Sequence, residues 1–241
     1  MEVLTNASVE HTAIGRIVVP PNVPRGFRVF YTTINFDGRI DDRIRDFVKP
    51  ASLSSCHQVH GDRVGAAFRP PGGLKPAATP EPTCDALWSD QRNSALAIKV
   101  ADCLPVSIID TRGVIANIHS GWRGAVQQIT AKTLDAAPIN PPTSVAFLGP
   151  TIRVCCFEVG ENVAERIRTA YADAEEFIDR SRAKPHVDLA GLTAMLLRRR
   201  GMSADRIHDS TFCTRCDGSI FHSYRRQGPR GGRNLAVVAQ S

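Results

Sequence analysis

Seven strand-length segments, several of them apolar along their whole length, constrain what this chain can fold into more than any other feature. They are Phe27 to Thr32, Ala95 to Lys99, Val106 to Asp110, Val114 to His119, Val145 to Leu148, Ile207 to Phe212 and Leu235 to Ala239. A strand without polar alternation has no face to give to water and must be covered on both sides. Three segments of helical period supply covering layers. Gly124 to Ala137 carries Val126, Ile129, Leu134 and Ala137 at near-helical spacing and follows closely on the strand ending at His119. Glu161 to Ala174 is the second. Leu189 to Arg200 is the third, with a stripe of Leu189, Leu192, Leu196 and Leu197, Asp188 as N-cap and Gly201 as stop. Strands and helices do not alternate strictly. An α+β fold or mixed-sheet sandwich is therefore expected rather than a plain doubly wound sheet.

Such a core needs length and apolar content, and 241 residues with 42% hydrophobic side chains supply both. A formal charge of +6 and a pI of about 9.1 favour an anionic partner. Phosphate esters satisfy that balance as well as nucleic acid does. Met1 to Arg16 contains Glu2 and Glu10 where a secretory signal has a positive start and an apolar run. The longest apolar stretch, Ala95 to Ile109, is interrupted by Lys99, Asp102 and Pro105, too broken for a membrane span of roughly 20 residues. A soluble, cytoplasmic protein with its seven cysteines reduced is expected. Pro70 to Thr83 and Ala137 to Thr143 read as surface loops.

The chain has no H-E-x-x-H, no G-x-x-x-x-G-K-[ST], no G-x-S-x-G and no H-x-E with P-C-x-x-C, which removes the commonest metalloprotease, P-loop, α/β-hydrolase and zinc deaminase readings. His, Cys and Arg at turns remain. They sit in Cys56 to Asp62, Ala101 to Pro105, His119 to Gly124, and Phe221 to Arg226 running on to Arg233. In the first three, an imidazole or thiol lies beside Gly or Pro at the edge of an apolar run, where side chains from several strands can converge. Arg123 follows His119 by four residues in a Gly-bracketed turn that opens a helix, suited to phosphate or carboxylate. Arg225, Arg226, Arg230 and Arg233 lie in a segment free of acids, equally readable as a solvated basic loop. Asp85 and Asp102 are proton-transfer candidates or turn caps. Cys213 and Cys216 form a single C-x-x-C with no second pair of that spacing, since Cys155 and Cys156 are adjacent. Packing at a strand end is the preferred reading for them.

Five motifs, in order, carry a resemblance that covers Phe27 to the C-terminus. They are QVHG at Gln58 to Gly61, ADCLPV at Ala101 to Val106, HSGWRG at His119 to Gly124, GPTI with CCFEVG within Gly149 to Gly160, and FHSYRR at Phe221 to Arg226. Together they resemble the laccase-domain family, also called the YfiH-like or multicopper polyphenol oxidase family, with bacterial members named peptidoglycan editing factor. The resemblance implies one YfiH-like domain over residues 1–241, with mixed β-sheets packed with helices on the outside in α/β/β/α-type layers and with 1–26 as a variable extension. It puts zinc ligands on His60, Cys103 and His119, with copper as the alternative metal. Two imidazoles and a thiolate leave a tetrahedral ion one open position, the pattern of a catalytic site. Cys103 has a second reading as the nucleophile of a Cys-His hydrolase. In an extended segment His57 points away from His60 and is expected in an outer position.

The activity that the resemblance implies is phosphorolysis of adenosine, inosine, guanosine or methylthioadenosine, together with deamination of adenosine. Cys103, Arg123 and Asp102 are then the catalytic candidates, and Arg123, Arg225, Arg226 and Arg233 the substrate-binding ones. Purine nucleosides and phosphate are the expected partners, with no membrane and no obligate nucleic acid. The alternatives are a peptidoglycan editing amidase, a copper-dependent polyphenol oxidoreductase and an RNA-associated basic protein. Seven histidines without an H-x-H pair argue against a conventional multicopper centre. The chain departs from the family pattern at Thr32 to Asp37, which lacks a T-R-x-G-G run, at Trp88 in place of a smaller residue, and at His222 in place of an aromatic.

Overall fold

The computed structural model describes residues 7–49, 52–67 and 81–241. Residues 70–80 of the expected Pro-rich loop lie outside them. In chain order the elements are β1 (Ser8–Thr12), β2 (Gly15–Val19), β3 (Phe27–Thr32), α1 (Asp42–Val48), β4 (Ser52–Ser54), β5 (Val64–Ala66), β6 (Ala86–Ser89), β7 (Ser94–Val100), β8 (Leu104–Asp110) and β9 (Val114–Ser120). Then follow α2 (Trp122–Val126), α3 (Ile129–Ala136), β10 (Ser144–Leu148), α4 (Glu161–Ala170), β11 (Ile178–Asp179), β12 (His186–Val187), α5 (Leu189–Arg199), β13 (Ile207–Asp209), α6 (Tyr224–Gln227) and β14 (Asn234–Gln240).

Two mixed six-stranded sheets run β1-β2-β3-β14-β7-β4 and β13-β10-β8-β9-β6-β5. The continuous apolar runs become their central strands, and β8, β9, β10 and β14 are buried at every position. Val29, Leu96, Ile98, Ala236 and Val238 of the first sheet meet Ile109, Ile115, Val145 and Phe147 of the second in an inter-sheet core. The outer face of the second sheet, with Ile108, Ala116 and Ile118, is covered by Ile129 and Leu134 of α3 and by Ala190 and Leu197 of α5. The outer face of the first packs Phe30, Ala95 and Val237 against Ile44 and Val48 of α1. These are the α/β/β/α layers that the resemblance implies. Within the apolar core, Asn117 donates across to the Leu96 and Ala236 carbonyls at 3.0 and 2.9 Å and accepts from Ser107 Oγ at 3.1 Å.

The structure departs from the sequence reading at some element bounds, β13 ending at Asp209 rather than Phe212 and α4 at Ala170 rather than Ala174, and it adds detail elsewhere. Residues 7–26, expected in a variable extension, contain the β1–β2 hairpin, which joins the first sheet through β3. The helix expected over Gly124 to Ala137 is two helices, α2 and α3, because Gln128 takes a left-handed φ of 60° between them. Partners from α4 accommodate the break: Tyr171 Oη donates to the Ala125 carbonyl at 2.6 Å, and Gln128 Nε2 to the Ala170 carbonyl at 3.3 Å. The third helix ends as read, with Asp188 accepting from Gly191 N and Gly201 at φ 93°.

Asp110, at the end of β8, has a fully buried side chain. Burial pushes its pKa up, but the Arg112 guanidinium and the N–H groups of Asn140 and Arg112 outweigh burial and hold the carboxyl at about 2 against an ordinary 3.8. Because the folded value is the lower one, the contribution is fully present above the unfolded pKa and is lost as pH falls from 3.8 towards 2. Asp110→Asn is expected to cost about 2 kcal/mol at pH 7 and to flatten the loss of stability across that acid window. Urea unfolding at neutral and acidic pH measures both.

Candidate active site

Two chain crossings between the sheets build the site. The segment from β4 to β5 leaves the first sheet, presents His60, and enters the second. The turn from β7 to β8 makes the same crossing and presents Cys103. His119 comes from β9, whose Pro105↔His119 pairing sets it beside the Cys103 turn. The donor atoms of His60, Cys103 and His119 all lie within 4.8 Å of one another, and the two imidazoles meet edge to face with centroids 4.7 Å apart. Exposure is graded, from a buried His119 through Cys103 to an exposed His60, so the group opens on one side.

Asp85, fully buried, gathers these pieces. Its carboxylate accepts from the N–H groups of Val59, His60 and Gly61 at 3.2, 2.9 and 2.8 Å, and lies 2.8 Å from His119 Nδ1. Burial pushes its pKa up, but the His119 hydrogen bond and then the backbone N–H groups prevail and bring it to about 2. A carboxylate on Nδ1 fixes the imidazole tautomer and leaves Nε2 as the lone-pair nitrogen, the usual outer partnership of a metal-binding histidine. The same bonds hold His60 at a left-handed φ of 60°, a conformation costing about 1–2 kcal/mol for a side-chain-bearing residue. Asp102, at φ 83°, is held similarly: its carbonyl accepts from Ile152 N at 3.0 Å and Thr151 Oγ1 at 2.7 Å.

Burial raises the Cys103 pKa, yet hydrogen bonds from His119 and then His60, with their charges, bring it down to about 6. Burial opposes charge on His119, and Asp85 followed by Cys103 raise it to about 9. The two groups thus favour each other's charged forms. This set, two imidazoles and one thiolate open to solvent on one side, fits a borderline divalent ion such as zinc. Gly121 allows the close approach, since a Cβ there would lie 2.9 Å from Cys103 Sγ and 3.5 Å from His60 Cδ2. Gly121→Ala is expected to weaken metal uptake by about 10-fold or more, as loss of a ligand-orienting partner does. Competition with a chromogenic chelator reads that change.

The three residues line a cavity of about 640 Å³ that is also lined by Arg123, Arg225, Arg233, Trp122, Phe157 and Tyr224. Each arginine stacks on an aromatic ring: Arg123 on Trp122 at 4.5 Å, Arg225 on Phe157 at 5.7 Å and Arg233 on Tyr224 at 5.9 Å. Stacking restrains a guanidinium without using its in-plane donors; here Arg225 Nη2 also donates to the Glu158 carbonyl at 3.0 Å, and Arg233 Nη1 to the Gly231 and Gly232 carbonyls at 2.8 and 2.9 Å. The sequence reading did not anticipate this pairing, although each aromatic lies within a motif. Arg226 does not line the cavity. Its guanidinium donates to the Thr214, Arg215 and Phe221 carbonyls, which fits a loop clasp rather than a substrate contact. Asp102 does line it, but both carboxylate oxygens are occupied, by Thr214 Oγ1 and Arg225 N at 2.6 Å each. His57 is exposed on the rim.

Two of the three departures from the family pattern meet: His222 Nε2 lies 2.6 Å from the Phe36 carbonyl. Trp88 packs at the edge of the core beneath the second sheet. Apart from the cavity, Cys155, Cys156, Cys213 and Cys216 also come together. The single C-x-x-C concealed this, because its partners are an adjacent pair about 60 residues upstream. Cys213 is buried but lies beyond β13, which ends at Asp209, and Cys216 is exposed, so neither packs at a strand end as expected.

A family model described as multi-copper polyphenol oxidoreductase laccase matches residues 42–241. An adenosine deaminase RL5 from an unknown prokaryotic organism is 34% identical over 64% of this chain and 61% of its own length. Purine nucleoside phosphorylase YlmD of Bacillus subtilis is 28% identical over 64% of this chain and 58% of its own length, so the chain spans about three fifths of these two relatives. A purine nucleoside phosphorylase of Xylella fastidiosa strain 9a5c is 35% identical over 76% of this chain and 69% of its own length. Among solved structures, Neisseria meningitidis protein NMB0706 superposes with a TM-score of 0.83 at 25% identity, covering 93% of this chain and 99% of its own. YlmD from Geobacillus stearothermophilus gives 0.83 at 22% identity over 98% and 99%. Among the described residues, no helix is long and apolar enough to cross a membrane.

Proposed function

Since the chain belongs to the multi-copper polyphenol oxidoreductase laccase family, we propose that it is a purine nucleoside phosphorylase with adenosine deaminase activity, using zinc held by His60, Cys103 and His119. One observation carries this reading: the open His-Cys-His group and three ring-stacked arginines face the same cavity. The arginine rim suits an anionic nucleophile and the aromatic faces suit a planar base. The names of the relatives point to the same two reactions.

In phosphorolysis, Arg123, Arg225 and Arg233 hold phosphate against the sugar's anomeric carbon. A phosphate oxygen forms the new bond to that carbon as the bond to the purine nitrogen breaks, and the purine leaves with the electron pair and takes up a proton. Holding the two reactants in one geometry accounts for much of the rate gain. Asp102 acts as a positioning residue, tying the Cys103 turn to Thr214 and to the backbone of Arg225. When bound, the metal supplies a Lewis acid beside the base. In deamination, water adds at purine C6 and ammonia leaves, and the aromatic walls orient the ring.

The donor chemistry disfavours the copper oxidase reading, because only two of the seven histidines belong to a grouping of metal-ligating side chains among the described residues. The Cys103 thiol close to the His119 imidazole favours a second reading, a Cys-type amidase, for the metal-free protein. Incubating the zinc-loaded protein with inosine, adenosine and methylthioadenosine, with and without phosphate, tests the proposal. Sugar 1-phosphate formed only with phosphate is expected. Equal turnover without phosphate would sink the phosphorylase, and release of a free amino acid from a cell-wall precursor would support the amidase.

A further inference from the structure

We propose that Cys155, Cys156, Cys213 and Cys216 form a second, structural metal site that holds one zinc ion through four thiolates. A zinc–sulfur bond of about 2.3 Å in tetrahedral geometry puts neighbouring sulfurs about 3.8 Å apart. Cys155 Sγ lies 3.7, 3.7 and 3.8 Å from those of Cys156, Cys213 and Cys216, and Cys156 lies 3.3 Å from Cys216. All four fall within 4.8 Å of one another. Each sulfur thus has the other three as neighbours, as a tetrahedron requires, and the space among them suits one ion.

The backbone is built around this arrangement. Thr151 and Cys213 bridge in parallel, bringing the two cysteine-bearing loops together. One loop turns where the Cys156 and Phe157 N–H groups both reach the Arg153 carbonyl at 2.8 Å. The other is closed by Asp217, whose carboxylate accepts from Cys213 N at 2.9 Å while its own N–H reaches the Cys213 carbonyl at 2.8 Å. The Arg182 guanidinium donates to the Cys155 carbonyl at 2.9 Å, while Arg153 is held by both carboxylate oxygens of Asp209 at 2.9 and 2.8 Å. The Arg182 charge offsets part of the two net negative charges of a four-thiolate zinc centre. Binding displaces four thiol protons to solvent. Four soft ligands close the ion's coordination and leave no position for substrate, unlike the His-Cys-His group.

The role follows from what the two loops hold. Thr151, Ile152 and Thr214, each within a few residues of these cysteines, all bond Asp102 beside Cys103. A zinc ion here staples together the two loops that grip the catalytic turn.

Metal analysis of the full chain, loaded with zinc under reducing conditions and desalted, tests this site separately from the other. The His60→Ala/Cys103→Ala/His119→Ala variant is expected to retain one zinc per chain, and Cys155→Ser/Cys216→Ser to hold one fewer than the parent. Cobalt loaded into the His-Cys-His variant is expected to show the intense charge-transfer absorption of four thiolates. If the cysteine variant fails to fold, the other variant and its cobalt spectrum still decide. No metal in the His-Cys-His variant, a spectrum without thiolate bands, or freshly reduced protein that re-forms a disulfide among these cysteines in preference to taking up zinc would overturn the proposal.

Discussion

Alanine at His60 is expected to lower adenosine deamination by more than about 100-fold, because even an outer partner of a metal ligand is worth 10- to 100-fold. Alanine at Arg225 is expected to spare deamination and to lower phosphorolysis by about 10- to 100-fold. A hydrogen bond to a charged group contributes roughly 1.5–3 kcal/mol, and each 1.4 kcal/mol is tenfold. The Arg225 side chain stacks on Phe157 and donates to the Glu158 carbonyl, while the tie to Asp102 runs through its backbone N–H and survives the substitution. Chromatography of adenosine reactions in phosphate separates inosine from adenine and reads both activities at once. Equal losses of both in both variants would show that metal and arginine roles are not divided in this way.

Asp85→Ala carries the largest expected cost in stability. It removes a buried carboxylate that satisfies three backbone N–H groups and the His119 imidazole. Breaking a buried charge network of this type costs about 3–5 kcal/mol, a large share of the roughly 5–15 kcal/mol that holds a domain folded. Denaturant unfolding should show that drop, and the surviving fold should bind zinc about 10- to 100-fold more weakly. Asp85→Asn keeps the shape but turns an amide toward the donors, so it should recover part of the stability and little of the metal affinity. Full zinc affinity in Asp85→Asn would mean that the carboxylate's charge does not matter to the ligands.

The strands were legible where burial on both faces leaves an unbroken apolar run. Ser52–Ser54 and Val64–Ala66 gave no such signal, being three-residue edge strands with half-buried or exposed side chains. β1 escaped for a related reason, since most of its side chains face solvent. The short helix α1 is signed only by Asp41, whose carboxylate caps Ile44 N, a cue any turn can carry. Spacing along the chain could not place the three proposed ligands together, and the motif resemblance alone named them. Asp85 was read as a proton-transfer group or a cap because a residue that serves three consecutive amides across the fold looks no different in sequence from any other aspartate. Arg225 and Arg226, adjacent in one basic motif, take different work because a helix start turns one to the cavity and the other to backbone carbonyls.

Asn117 gives the sandwich something that greasy contact cannot. Two apolar sheets lose little when they slide a fraction of an ångström, since one methyl neighbour replaces another. The amide is unforgiving, for its two carbonyl acceptors belong to neighbouring strands of the opposite sheet. Two of the three proposed metal ligands sit on connections strung between those sheets, so any shear would be passed to the distance between them. On this view the residue works as a locating dowel. Its loss should broaden the spread of ligand geometries before it unfolds the protein, and a widened cobalt absorption band in Asn117→Ala would be the visible sign.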